Sequence, residues 1–149
     1  MQEKETILVS ACLLGVKCKW NLADNYNAGV VEYCKDYHVV PVCPEQLGGL
    51  ATPREPSEHR EGRVVTGSGR DVTEEYSRGA AETLRLAQLY GCRYAILKER
   101  SPSCGHGRIY DGSFSGVLVP GSGSAAALLE ANGITVLGES ELGRLPERE

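Results

Sequence analysis

Four short apolar runs punctuate the chain, at residues 6–12, 38–43, 93–98 and 134–137. Each is continuous rather than alternating, the pattern of strands covered on both faces. Helical periodicity fills the intervals between them. The clearest stretch spans about residues 73–90, with Tyr76, Ala80, Thr83, Leu84 and Ala87 on one face, Asp71 or Thr73 available as N-cap, and Gly91 as the stop. A second, residues 124–132, carries Ala125, Leu128 and Leu129 as its apolar stripe and has Gly133 just past its end. A third, about residues 27–36, is weakened by Gly29 and by the β-branched Val30 and Val31.

Strands alternating with helices predict parallel pairing through right-handed crossovers. The expected fold is therefore α/β, a three-layer Rossmann-like sandwich around a mainly parallel sheet, formed by one domain over residues 1–149. Two stretches break the alternation. Residues 47–70 contain Gly48-Gly49, Pro53, Pro56 and Gly67, and residues 101–123 are studded with glycine. Both are expected to be long functional loops, the first with a short hairpin around Val64-Val65. The chain has no internal repeat.

Composition narrows the function classes. At 149 residues folding buries roughly 68–70% of the unfolded chain's surface, so a core forms without disulfides. Sixteen Lys and Arg against twenty Asp and Glu give a net charge of −4, and the basic residues are scattered. That argues against a nucleic-acid or anionic-membrane surface. No apolar run approaches the ~18 residues of a membrane span, so a soluble chain is expected. The segment Val9-Ser10-Ala11-Cys12 resembles a lipoprotein processing site. A signal peptide, however, needs an apolar region of roughly 7–15 residues before cleavage, and here only residues 6–9 separate Glu3-Lys4-Glu5 from it. The expected setting is thus the reducing cytoplasm, where cysteines more often serve metals or catalysis than structural disulfides.

Six cysteines then need a purpose. In an open α/β sheet, ligands bind beyond the carboxyl ends of the strands. Cys12 ends the first apolar run, Cys43 ends the second, and Cys104 lies six residues beyond Lys98 in the loop that leaves the third. The fold would bring these three to one sheet edge although no Cys-x-x-Cys spacing marks a metal site. Cys34 and Cys92 read as small buried hydrophobes. Cys18, six residues after Cys12, fits a fourth ligand, a resolving thiol or simple packing. Three converging thiolates suggest an iron-sulfur cluster or zinc. A 4Fe-4S cluster usually takes four cysteines, so three leave one iron open; zinc with three cysteines and a water is the competing reading.

The flanking residues add polar chemistry. Glu45 follows Cys43 by two positions, and Ser101 and Ser103 flank Pro102 just before Cys104. A loop glutamate is ordinarily only solvated, and serines beside Pro and Gly ordinarily make turns. Gathered at one sheet edge they instead suggest an acid–base group and hydroxyls beside a metal.

Several motifs carry a resemblance. Ser10-Ala11-Cys12-Leu13-Leu14-Gly15, Val42-Cys43-Pro44-Glu45 with Gly48-Gly49-Leu50 and Pro53-Arg54, Lys98 with Ser101-Pro102-Ser103-Cys104-Gly105, and Tyr110-Asp111-Gly112 with Phe114-Ser115-Gly116 occur in order over about residues 7–136. In these the chain resembles the thiouracil desulfidase family. The resemblance implies a 4Fe-4S cluster on Cys12, Cys43 and Cys104 whose open iron binds the sulfur of a thiolated pyrimidine. It also implies exchange of that sulfur for oxygen, a catalytic glutamate at Glu45 and a catalytic serine at Ser101, with Ser103 as a second polar contact. Lys98 is a candidate for steadying charge on the ring.

One departure lies after Cys18, where Lys19-Trp20-Asn21-Leu22 lacks the glycine of the family's turn. Larger relatives with an added C-terminal domain act on thiolated transfer RNA. An acidic chain ending at Glu149 is expected instead to take a free base or nucleoside, as a monomer or homodimer. Two other classes fit the same cysteines, a noncatalytic zinc- or cluster-binding module and a sulfur-trafficking protein.

Overall fold

The computed structural model describes residues 4–144. Four strands form its parallel sheet: β1 (Thr6–Ser10), β2 (His38–Val42), β5 (Tyr94–Leu97) and β8 (Thr135–Gly138), in the order β2-β1-β5-β8. Every apolar run predicted as a strand is one. Their continuous character has a direct cause. Ile7, Val9, Ile96 and Leu137 face one side with Leu13, Val30 and Cys34, while Leu8, Ala95, Leu97 and Val136 face the other with Ala87, Cys92, Ala126 and Leu129. Both faces are covered, which makes three layers. β2 lies at an edge of the sheet, where Pro41 is tolerated.

One layer holds α1 (Ala28–Tyr33), which Asn27 caps by accepting the Val30 N–H at 3.0 Å. Gly29 and the two valines leave this helix shorter than the 27–36 expected, and a 3-10 turn, Cys34–Asp36, completes the segment. The other layer holds α3 (Thr73–Leu89) against α4 (Ser124–Ala131). Of the two N-cap candidates for α3, Asp71 does the work from one residue earlier, accepting the Thr73 N–H at 2.9 Å. Among the described residues no helix is long and apolar enough to cross a membrane.

The two irregular stretches hold more order than predicted. Residues 47–70 contain the expected hairpin as β3 (Ser57–Arg60) and β4 (Arg63–Thr66). Residues 101–123 contain a second hairpin, β6 (Arg108–Tyr110) with β7 (Leu118–Pro120), whose three-residue strands are too short to show a period. The hairpins are stitched together by the Glu58 carboxylate, which accepts the N–H groups of Gly112 and Phe114 at 3.0 and 3.1 Å. His59 Nε2 lies 2.7 Å from the Pro102 carbonyl and ties the first hairpin to the cysteine-bearing loop.

This topology creates a crevice. The chain leaves β1 toward α1 on one face and leaves β5 toward α4 on the other. Loops diverging from adjacent parallel strands open a cleft at their carboxyl ends.

Candidate active site

A cavity of about 390 Å³ fills that cleft, within the range of small-molecule sites. Cys12, Cys43, Cys104, Glu45, Ser101 and Ser103 all line it, together with Cys18 and Lys98. Every residue singled out for chemistry in the sequence therefore converges there. Cys34 and Cys92 sit instead in the cores on opposite faces of the sheet.

Local structure places each group. Cys12 lies past the end of β1 in a 3-10 turn, Ala11–Leu14, rather than within the strand. Cys43 precedes α2 (Pro44–Leu47), a one-turn helix where an open loop was expected. Pro44 at the first helical position and Glu45 in the first turn suit a helix start, the one local signal for it. Glu45 is thereby fixed on a helix rather than left solvated. The Cys104 loop is held from below by α4, whose first N–H groups are consumed by loop carbonyls: Ser124 donates to Pro102 at 3.0 Å, and Ala125 and Ala126 to Ser103 at 2.9 and 3.1 Å.

Three side chains form a line of hydrogen bonds along the cavity. Ser101 Oγ accepts the backbone N–H groups of Ser103 and Cys104 at 3.2 and 3.1 Å, which directs its own proton toward Ser103 Oγ, 3.1 Å away. Ser103 Oγ donates to Glu45 Oε2 at 2.9 Å. Glu45 Oε1 accepts from Arg54 Nε at 2.9 Å. Tyr76, 2% exposed, presses its hydroxyl toward the same carboxylate and Ser57, and burial drives its ionisation far above the ordinary tyrosine range.

The thiols differ in surroundings. Burial pushes Cys104 up to about 12, against a hydrogen bond from Ser10 Oγ at 3.3 Å and the Ser103 hydroxyl dipole 3.6 Å away. Burial likewise raises Cys12, offset in part by the Asn25 side chain. Cys43 is lowered, first by a hydrogen bond from the Cys18 thiol and further by the Arg54 guanidinium; Cys18 is raised in return. Lys98 reaches the cavity, but its ammonium is held by Glu139 Oε2 at 2.7 Å and the Glu99 carbonyl at 3.1 Å.

Sequence reasoning named Arg54 only within a motif and did not reach Ser10 or Tyr76 as contributors. Their signal is burial and long-range contact, which no local pattern carries.

Three soft thiols on three separate loops suit iron-sulfur chemistry or zinc. Among the described residues, no three His, Cys, Asp or Glu side chains form a ready-made site for a single metal ion.

Comparison with known proteins adds three findings. The family described as 2-thiouracil desulfurase matches the chain over residues 7–141. A relative, the uncharacterised protein YbbK of Bacillus subtilis (strain 168), is 45% identical, covering 91% of this chain and 97% of its own. The solved structure of a 4Fe-4S-dependent thiouracil desulfidase, TudS, superposes with a TM-score of 0.89 and 45% identity over 95% of each chain.

Proposed function

The chain belongs to the 2-thiouracil desulfurase family, and from that premise we propose that it is a 4Fe-4S-dependent desulfidase acting on a thiolated pyrimidine base or nucleoside in the cytoplasm. The net reaction adds one water to the thiocarbonyl carbon and releases hydrogen sulfide, leaving a carbonyl. No electrons are gained or lost. Cys12, Cys43 and Cys104 would hold the cluster, and its open iron would supply Lewis-acid polarisation of the thiocarbonyl and a soft acceptor for the departing sulfur.

The observation that carries this reading is the Ser101–Ser103–Glu45 line running along the same cavity wall as the three cysteines. Ser101, its lone pairs taken by two backbone N–H groups and its proton aimed at Ser103 Oγ, fixes that hydroxyl beside the attacking water. The water gives a proton to Ser103 Oγ as Ser103 passes its own to Glu45 Oε2, the acceptor already in hydrogen-bond contact. Glu45 returns that proton to the leaving sulfur, and the proton of the new hydroxyl follows as the carbonyl forms, so hydrogen sulfide carries both and Glu45 ends each cycle as it began. Pro102 and the flanking turn keep both hydroxyls fixed, which supplies orientation in place of bulk solvent.

The test is turnover of 4-thiouracil and 2-thiouracil by anaerobic, reconstituted protein, with sulfide and uracil both quantified. Glu45→Gln and Ser101→Ala are expected to keep their iron and lose about 100-fold or more of kcat, as removal of a positioned acid–base group does. Wild-type turnover in both variants would remove these residues from the mechanism.

A further inference from the structure

Arg54 is the most thoroughly gripped side chain in the cavity and takes no part in the proton transfer described above. Its side chain is 9% exposed, against a Glu45 side chain 13% exposed. Neutralising Glu45 would need one bond, yet all three guanidinium nitrogens are used. Nε donates to Glu45 Oε1 at 2.9 Å, Nη1 to Thr52 Oγ1 and the Ala51 carbonyl at 2.8 and 3.2 Å, and Nη2 to the Cys18 carbonyl at 2.9 Å, with Cys43 Sγ a longer contact of Nη2 at 4.0 Å. The Arg54 main-chain N–H also donates to the Trp20 carbonyl at 2.8 Å. The planar fork therefore spans two loops and α2 with its orientation fully determined.

A carboxylate on a glutamate side chain turns freely about its last bond unless both oxygens are engaged. With Oε1 held by Arg54, only Oε2 is left to face Ser103. We propose that Arg54 is a positioning residue: it fixes the rotation of the Glu45 carboxylate so that Oε2 stays in line with Ser103 and Ser101. The inference rests on the desulfidase reading for what that alignment accomplishes. It also explains why a guanidinium rather than an ammonium stands here. A lysine supplies the charge at one point, but cannot bind Glu45, the Thr52 hydroxyl and the Cys18 carbonyl at once in a fixed plane.

The experiment measures kcat, KM and iron content of anaerobic, reconstituted wild type, Arg54→Gln and Arg54→Lys, and adds a melting-temperature cycle with Glu45→Gln. Arg54→Gln is expected to lose about 100-fold in kcat with KM little changed and iron retained, because the lost alignment acts only on the reacting atoms. Arg54→Lys recovers part of that loss, and if Arg54→Gln does not fold, Arg54→Lys against wild type gives the same comparison. The melting shifts of Arg54→Gln and Glu45→Gln are expected to be non-additive. Wild-type kcat in both arginine variants overturns the proposal, as does a raised KM at constant kcat, which would make Arg54 a substrate contact. If wild type itself turns over no thiolated pyrimidine, the desulfidase reading fails separately. A non-additive cycle then still supports the clamp on Glu45, whereas an additive one overturns it.

Discussion

Replacing Gly79 by alanine tests whether the helix pair beneath the cavity sets the position of Glu45. α2 lies backbone against backbone on α3: a Cβ at Gly79 would stand 1.9 Å from the Pro44 carbonyl oxygen, and one at Gly48 would stand 1.9 Å from that of Glu75. Carbon–oxygen contacts under 3.0 Å are essentially never seen, and neither partner is a side chain that can turn aside. The helices must therefore part by about 1 Å, a displacement that can cost an active site on the order of 100-fold in rate. Pro44 is the immediate neighbour of both Cys43 and Glu45, so the shift reaches the site directly. A 2.9 Å bond from Ser103 to Glu45, lengthened by about as much, is no longer a hydrogen bond.

Stability moves opposite to the usual direction. In a helix interior, Gly→Ala ordinarily stabilises by about 1 kcal/mol, whereas forced overpacking costs about 1–3 kcal/mol. The net expectation is a loss of about 1 kcal/mol, or about 2–4 °C in Tm for a chain near this size. Differential scanning calorimetry and steady-state turnover on anaerobic Gly79→Ala read both effects, with Ser77→Ala, exposed on the same helix, as the neutral control. A Gly79→Ala protein that melts at or above wild type and turns over normally would refute the close-packing argument.

Other outcomes follow from the same structure. Ser10→Ala removes a side chain that accepts the Lys98 N–H at 2.9 Å and donates to Cys104; the orphaned buried donor should cost about 1–3 kcal/mol in urea unfolding, and an unchanged midpoint would contradict it. Asp71 is held down to about 2 by Arg63 and the Thr73 N–H, below its ordinary 3.8. Its contribution is present above pH 3.8 and disappears as pH falls toward about 2. Asp71→Asn should accordingly melt below wild type at neutral pH, and the gap should close in acid; a gap independent of pH would show another cause. Cys34→Ala and Cys92→Ala should retain iron, while Cys12→Ala, Cys43→Ala and Cys104→Ala should each lose it on iron analysis.

What the sequence could reveal followed the length scale of each signal. The four sheet strands were legible because burial on both faces leaves no polar interruption, as in Ile7-Leu8-Val9. α3 was legible through its 3.6-residue stripe, but the stripe did not reveal that Gly79 is the point of backbone contact with α2. α2 was not legible, since one turn cannot display a period. The convergence of Cys12, Cys43 and Cys104 followed from topology alone, because parallel strands deliver their carboxyl ends to one edge. Arg54 stayed hidden for the opposite reason. Its role depends on being buried between Glu45 and the Cys18 carbonyl, residues 9 and 36 positions away.

The most direct test of the central claim is iron, sulfide and zinc analysis with an absorption spectrum on strictly anaerobic, reconstituted protein, followed by addition of 4-thiouracil. Wild type is compared with a Cys12→Ala, Cys43→Ala, Cys104→Ala triple variant. The expected result is about four irons per chain with a shoulder near roughly 400 nm, both lost in the triple variant, and one sulfide released for each uracil formed. Zinc without iron after reconstitution, or iron-loaded protein that releases no sulfide from any thiolated pyrimidine, would contradict it.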